Sequence, residues 1–360
     1  KTGLSKEKLL EQTPLRAAQR HLLNQSFQQY LSNTFWCELP DKKDWFSVWE
    51  GSCFFHSTLD VEYNLTPMYL SLWPSLLKLQ LDQWAKRGKA HDESGGYYLD
   101  HDLGVGFEAT AMSYDHDMPI EENCNYLLMM QAYAHWTGDL TPIRKHEDLI
   151  LKLADYLLWT DVDDSGFPSK GVANTIDDAS AAQQFSRKQT YLAIKRLAAL
   201  AAVSDMLMHI NKTELSQTYQ DIVDRFTSKV ENDAWRGDHF AVCVDRSTVG
   251  VRDAKTNRPL TDDELVGADA YSIYSSNGLL LPMMCGQPWL ISENKVRRDL
   301  ISAVRETLGN YGCGHNDQEP ENVWVSQNLW RDHMMRYIGA TGPNRAQGYW
   351  DMQVMSNTFG

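Results

Sequence analysis

Apolar residues recur at i, i+3, i+4 and i+7 in segment after segment of this chain. That spacing places them on one face of an α-helix and is incompatible with the two-residue period of a half-buried strand. The pattern predicts helices over residues 9–31, 66–86, 123–136, 142–159, 190–210, 215–230, 297–308 and 323–338. In the second of these, Pro67 reads as the cap of a helix carrying Tyr69, Leu72, Trp73, Leu76 and Trp84. The third and fourth form a pair split by Thr137-Gly138-Asp139. Strand-like runs are short, at 97–99 and 240–244, and long polar loops cover 89–118 and 161–180. Loops of that length in a compact domain are uncommon and usually functional. Eight to twelve helices in pairs, with long loops at one end of each pair, point to an all-α fold. The expected form is a single (α/α)6 toroid of helical hairpins that uses residues 1–360 and carries its site on the loop face.

Composition narrows the function. The chain has 34 Lys+Arg against 48 Asp+Glu, a net charge of −14. Nucleic acids and anionic membranes are met by basic patches, so neither is an expected partner. There is no run of about 18 apolar residues, hence no expected membrane span. The six cysteines are scattered without a CxxC pair, which argues against a zinc or redox motif. The 12 Trp and 16 Tyr suit either sugar-stacking platforms or an aromatic core. Lys1 opens the chain without Met, as a processed or trimmed N-terminus would, which leans the expected location outside the cytoplasm.

Four acid-rich clusters lie beside aromatics in segments read as loops. They are Trp49-Glu50-Gly51 with Thr58-Leu59-Asp60-Val61-Glu62-Tyr63; Asp100-His101-Asp102-Leu103-Gly104; Met118-Pro119-Ile120-Glu121-Glu122-Asn123; and Asp161-Val162-Asp163-Asp164-Ser165-Gly166 running on to Thr175-Ile176-Asp177-Asp178. Two carboxyl groups facing each other across a pocket are the minimum equipment for glycoside hydrolysis. One protonates the leaving oxygen, and the other attacks the anomeric carbon or activates water. No GxSxG, P-loop or dinucleotide fingerprint competes with that reading. Asp161, Asp163 and Ser165 place oxygens at alternate positions, as a calcium loop does, although Val172 stands where the bidentate Glu would be. No cofactor is required by this chemistry; a structural calcium ion is the expected extra.

These clusters, with Leu72-Trp73-Pro74, Trp136-Thr137-Gly138-Asp139, Trp235-Arg236-Gly237-Asp238 and Glu321-Asn322-Val323-Trp324, occur in an order that resembles the retaining β-glucosidases and β-xylosidases of glycoside hydrolase family 116. Family 52 shares the Glu-Gly and Thr-x-Asp elements. The resemblance implies an (α/α)6 toroid, usually behind an upstream β-sandwich domain. It implies an exo-β-glycosidase acting by double displacement on glucose- or xylose-like sugars. Residue by residue, Glu50 falls on the nucleophile and Asp177 on the general acid/base, with Asp178 as the alternative acid. Asp60, His101 and Glu321 fall on sugar-hydroxyl contacts. Trp49, Asp102, Glu121, Asp178 and Trp324 complete the implied substrate-binding set. Without the upstream domain, a second copy of the chain would cover the exposed flank.

Met118-Pro119-Ile120-Glu121-Glu122, Thr175-Ile176-Asp177-Asp178 and Leu59-Asp60-Val61-x-Tyr63 also resemble the fungal glutaminase A-like proteins with a helical-hairpin domain. That second resemblance implies an amidohydrolase releasing ammonia from glutamine. It leaves open whether Glu121 or Glu122 enters the pocket. A non-catalytic carbohydrate-binding toroid is the third expectation.

Overall fold

The computed structural model describes residues 16–50, 54–106, 118–171, 174–176, 186–247, 258–259, 261, 267–340 and 345–356. Among them the chain is mostly helical. In order, the elements are α1 (Ala17–Ser32), β1 (Thr34–Glu38), β2 (Asp44–Glu50), β3 (Phe55–His56), α2 (Leu59–Leu72), α3 (Pro74–Trp84), β4 (Lys89–His91) and β5 (Gly96–Tyr98). They continue with α4 (Pro119–Thr137), α5 (Thr141–Lys145), α6 (Glu147–Trp159), α7 (Thr190–His209) and α8 (Thr213–Ala234). A 3-10 turn (Asn277–Leu279) leads to α9 (Leu280–Met284), α10 (Glu293–Thr307), α11 (Val325–Tyr337) and α12 (Ala346–Ser356).

Two helices form the centre. Every residue of α4 from Pro119 to Ala134 is buried, and α7 is buried along most of its length. A helix covered on all sides needs no polar stripe, and both carry apolar residues on every face, with buried polar side chains such as Glu121 and Lys195 among them. α4 ends where Gly138 takes a left-handed φ of 73°, which glycine adopts without steric cost. α8 is the outer partner of α7. It buries Ser216, Tyr219, Val223, Phe226, Val230 and Ala234 at helical spacing and leaves its other face to solvent. α4 packs on α7, α2, α3 and α9, so it is the element that ties the hairpins together.

The structure departs from the sequence expectations at several places. The single helix expected over 66–86 is two, α2 and α3, because the Pro74 ring forces Trp73 out of the helical region, to φ −146° and ψ 63°. Pro67 lies inside α2 rather than capping it, since the helix already starts at Leu59. The segment at 142–159 is likewise broken, at His146. An all-α reading misses the antiparallel sheet β1-β2-β3, in which Trp36 pairs with Phe46 and Trp49 with His56. The expected strand at 240–244 forms only the isolated bridges Trp235–Phe240 and Gln189–Cys243. Part of the loop expected over 89–118 is the hairpin β4–β5. Part of the tryptophan excess is structural: Trp84 is fully buried and Trp330 nearly so, whereas Trp36 and Trp136 are exposed.

Candidate active site

Glu50 is the last residue of β2, not a loop residue. The edge strand β3 returns beside it and feeds α2. This turn brings Thr58, the residue before α2, against the carboxylate: Thr58 Oγ1 donates to Glu50 Oε2 at 2.9 Å. Neighbouring Trp49 lies half-buried, its ring 4.3 Å from that of Phe35, and its indole N–H donates to His56 Nε2 at 3.0 Å.

Asp60 is in the first turn of α2 and is buried. Its carboxylate accepts the Val61 N–H at 2.7 Å. Burial is the main force pushing its pKa up to about 7; Glu50 and Glu121 push the same way and His101 opposes them. Asp60 therefore lies in the field of two other acids and one imidazole. The Leu59 N–H donates to the His101 carbonyl at 3.0 Å, which fixes the 99–104 segment against the start of α2. Burial alone would lower the His101 pKa, but the bond to Asp102 and the charges of Asp60 and Glu50 outweigh it, and the net shift is upward. His101 Nδ1 is 3.1 Å from Asp102 Oδ2, and the other Asp102 oxygen accepts the Gly104 N–H at 2.7 Å. Asp102 thus orients the imidazole.

Glu121 enters from the first turn of α4, where an acid is favoured by the helix dipole. Oε1 accepts a short hydrogen bond from Tyr191 and one of 3.2 Å from Lys195. Oε2 accepts the Ile176 N–H at 2.9 Å. Glu122, on the same turn, is paired with Asn125 instead, and burial raises its pKa well above the ordinary carboxylate range. Lys195 is buried and donates to Tyr191 at 2.8 Å and to Asn277 at 3.1 Å, with the Tyr63 ring 4.2 Å beneath it. Gly278 makes room for that contact: a Cβ there would be 2.7 Å from Lys195 Cα. Tyr191 leads on to Tyr274 at 5.7 Å between rings, then to His315 through a 2.9 Å bond, then to the edge of half-buried Trp324.

The structure thus gathers Glu50, Asp60, His101, Asp102 and Glu121 about the starts of α2 and α4, with Trp49 at the edge and Trp324 reached through His315. Asp177 and Asp178 lie outside the described residues; the buried stretch 174–176 that precedes them is pinned to Glu121. Glu321 stands apart. It is exposed, in a turn closed by the Asn322 N–H on the Glu319 carbonyl. Tyr191 and Lys195 were missed by sequence reading. Their i,i+4 spacing within an apolar helix was the available signal.

The acidic loop has partners of its own. Asp161 turns inward to the N–H groups of Ser165 (2.9 Å) and Gly166 (2.8 Å) and to buried Arg196 (3.6 Å), while Asp163 pairs with Lys188. A calcium ion there would have to displace Lys188 and compete with these amides.

The buried acids make stability depend on pH. Burial raises Asp60 and Glu62 to about 7 and Asp299 to about 8, from ordinary values of 3.8, 4.5 and 3.8. Each group therefore binds its proton more tightly folded than unfolded. Its stabilisation is full below the unfolded pKa and is lost as pH rises through the folded one. The raised His101 acts in the same direction. The melting temperature should fall by about 5 °C or more between pH 5 and pH 8, and Glu62→Gln should flatten the slope. A melting temperature that rises over this interval contradicts the assignment.

Fold and site together define a helical-hairpin domain with an acid-lined cluster at the N-terminal ends of its inner helices. Residues 21–251 match the glutaminase A six helical-hairpin domain, and the chain belongs to that family. Of the resemblances read from the sequence, this is the glutaminase A-like one. Glutaminase A of Aspergillus oryzae (strain ATCC 42149 / RIB 40) is 31% identical over 154 residues, which are 41% of this chain and 20% of that protein. The chain therefore spans about a fifth of the curated relative it matches. The crystal structure of a family GH78 rhamnosidase of Bacillus sp. GL1 is similar over 88% of this chain and 35% of that one, with a TM-score of 0.42 and 12% identity.

Proposed function

We propose that this domain is a glycoside hydrolase whose reacting carboxyls are Glu50 and Asp177. The observation that carries the reading is the grouping of Glu50, His101 and Glu121 around buried Asp60, whose pKa burial pushes up to about 7. Two-carboxylate hydrolysis needs acids gathered at one place, and Glu50 stands in such a group. In this reading Glu50, held by Thr58, attacks the anomeric carbon. Asp177, next to the Ile176 amide anchored on Glu121, protonates the leaving oxygen, with Asp178 as the alternative. Asp60 and His101 take sugar hydroxyls, and Trp49 offers an apolar face. The finer reading is a closed ring of six hairpins that retains configuration on β-glucosides or β-xylosides. It comes from the family 116 resemblance and requires carboxyls about 5–5.5 Å apart.

Membership of the glutaminase A family favours a second reading, an amidohydrolase acting on glutamine. One experiment separates the two. The protein is assayed on a panel of p-nitrophenyl glycosides, with the anomer of the product followed, and in parallel for ammonia release from glutamine. Turnover of at least one glycoside without ammonia release is the expected result. Ammonia release without glycoside turnover replaces the first reading by the second.

A further inference from the structure

α4 and α7 both begin at the acidic cluster, and their far ends carry another group of side chains. His135 is in the last turn of α4, and Asp205 and His209 are one turn apart at the end of α7. One ligand-type atom from each lies within 4.8 Å of the other two. His135 Nε2 is 2.7 Å from Asp205 Oδ2, and His209 Nδ1 is 3.4 Å from Asp205 Oδ1. The two imidazoles meet edge to face at 5.2 Å. Counting along α4 at 1.5 Å per residue, His135 is about 21 Å from Glu121.

We infer that His135, Asp205 and His209 form a site for a divalent transition cation of the zinc type. Two features converge on this. The first is the donor set: two imidazoles and one carboxylate suit zinc, whereas calcium and magnesium prefer oxygen alone. The second is spacing. Ligands about 2.0–2.2 Å from a tetrahedral zinc stand about 3.3 Å from one another; one donor atom from each side chain already lies within 4.8 Å of the other two, and His209 Nδ1, now 2.8 Å from the Asp205 carbonyl, turns away from it to bind. The surroundings are polar: His135 Nε2 also faces the Gln287 side-chain amide at 3.0 Å.

The setting favours a positive charge. The C-terminal ends of two helices carry partial negative charge and unpaired carbonyls. Gln131 Nε2 donates to Asp205 Oδ2 at 2.9 Å and orients the carboxylate, as outer partners of metal ligands do. Three protein ligands leave a fourth position for water. The distance from the acidic cluster separates this site from the proposed hydrolysis.

The test is isothermal titration of tag-free, metal-depleted protein with zinc chloride, repeated on His209→Ala and Asp205→Asn. His209 is exposed at the end of its helix, so its removal spares the core. The expected result is one zinc per chain at micromolar affinity or tighter, weakened about tenfold or more in each variant. Cobalt(II) should give the visible absorption of a four-coordinate ion in the parent protein and lose it in both variants. Absence of binding up to millimolar zinc overturns the inference. So does binding that both variants retain unchanged.

Discussion

Glu50→Gln should lower turnover on an aryl glycoside by about a thousandfold or more, with the melting temperature kept within a few degrees. Glu50 is only half-buried and at a strand end, so the substitution disturbs little packing. An amide of the same shape still accepts the Thr58 hydroxyl, which stands 2.9 Å from the native carboxylate. What it lacks is the charge needed to attack an anomeric carbon. Steady-state kinetics together with a thermal melt read both halves. Near-parental turnover removes Glu50 as nucleophile. Asp177→Asn and Asp178→Asn, assayed on leaving groups of differing pKa, then identify the acid. Loss of the true acid harms poor leaving groups much more than good ones.

Lys195→Met should destabilise the fold by about 3–5 kcal/mol, the usual cost of breaking a buried ion pair from one side. The Lys195 side chain is 1% exposed, and so is that of Glu121, its partner at 3.2 Å. Methionine fills the volume but leaves Glu121 with only Tyr191 and the Ile176 amide for its charge. The double variant Lys195→Met/Glu121→Gln should recover much of the loss, because no unpaired charge remains. Urea unfolding of the four proteins measures this. A single-variant loss below about 1 kcal/mol would mean that the pair contributes nothing the packing does not supply.

 The segments carrying Asp60 and Glu121 are legible in the sequence as acid-rich, but they read as loops, with helices beginning only at 66 and 123; in the structure they open α2 and α4. The sheet β1-β2-β3 was not read, although Pro40-Asp41 between two aromatic runs is a turn signal. Its strands are short, and an aromatic run of that length suits a helix as well as a strand. The break at Trp73 was written in Pro74, whose ring acts on the residue before it whatever the surrounding pattern. The exposure of Glu321 was not written anywhere local, because a turn shows its side chains to solvent or pocket according to what packs beside it.

By itself the sequence determined the local terms: which stretches are helical, where prolines and glycines stop them, and which segments carry acids. Those follow from backbone sterics and from periodicity, which act over a few residues. Only the tertiary structure decided which acids share a site, that Lys195 neutralises Glu121, and that His135 meets Asp205 across 70 residues of chain. Charges interact through space, and burial sets how strongly. Neither distance nor burial can be read until α4 and α7 lie side by side.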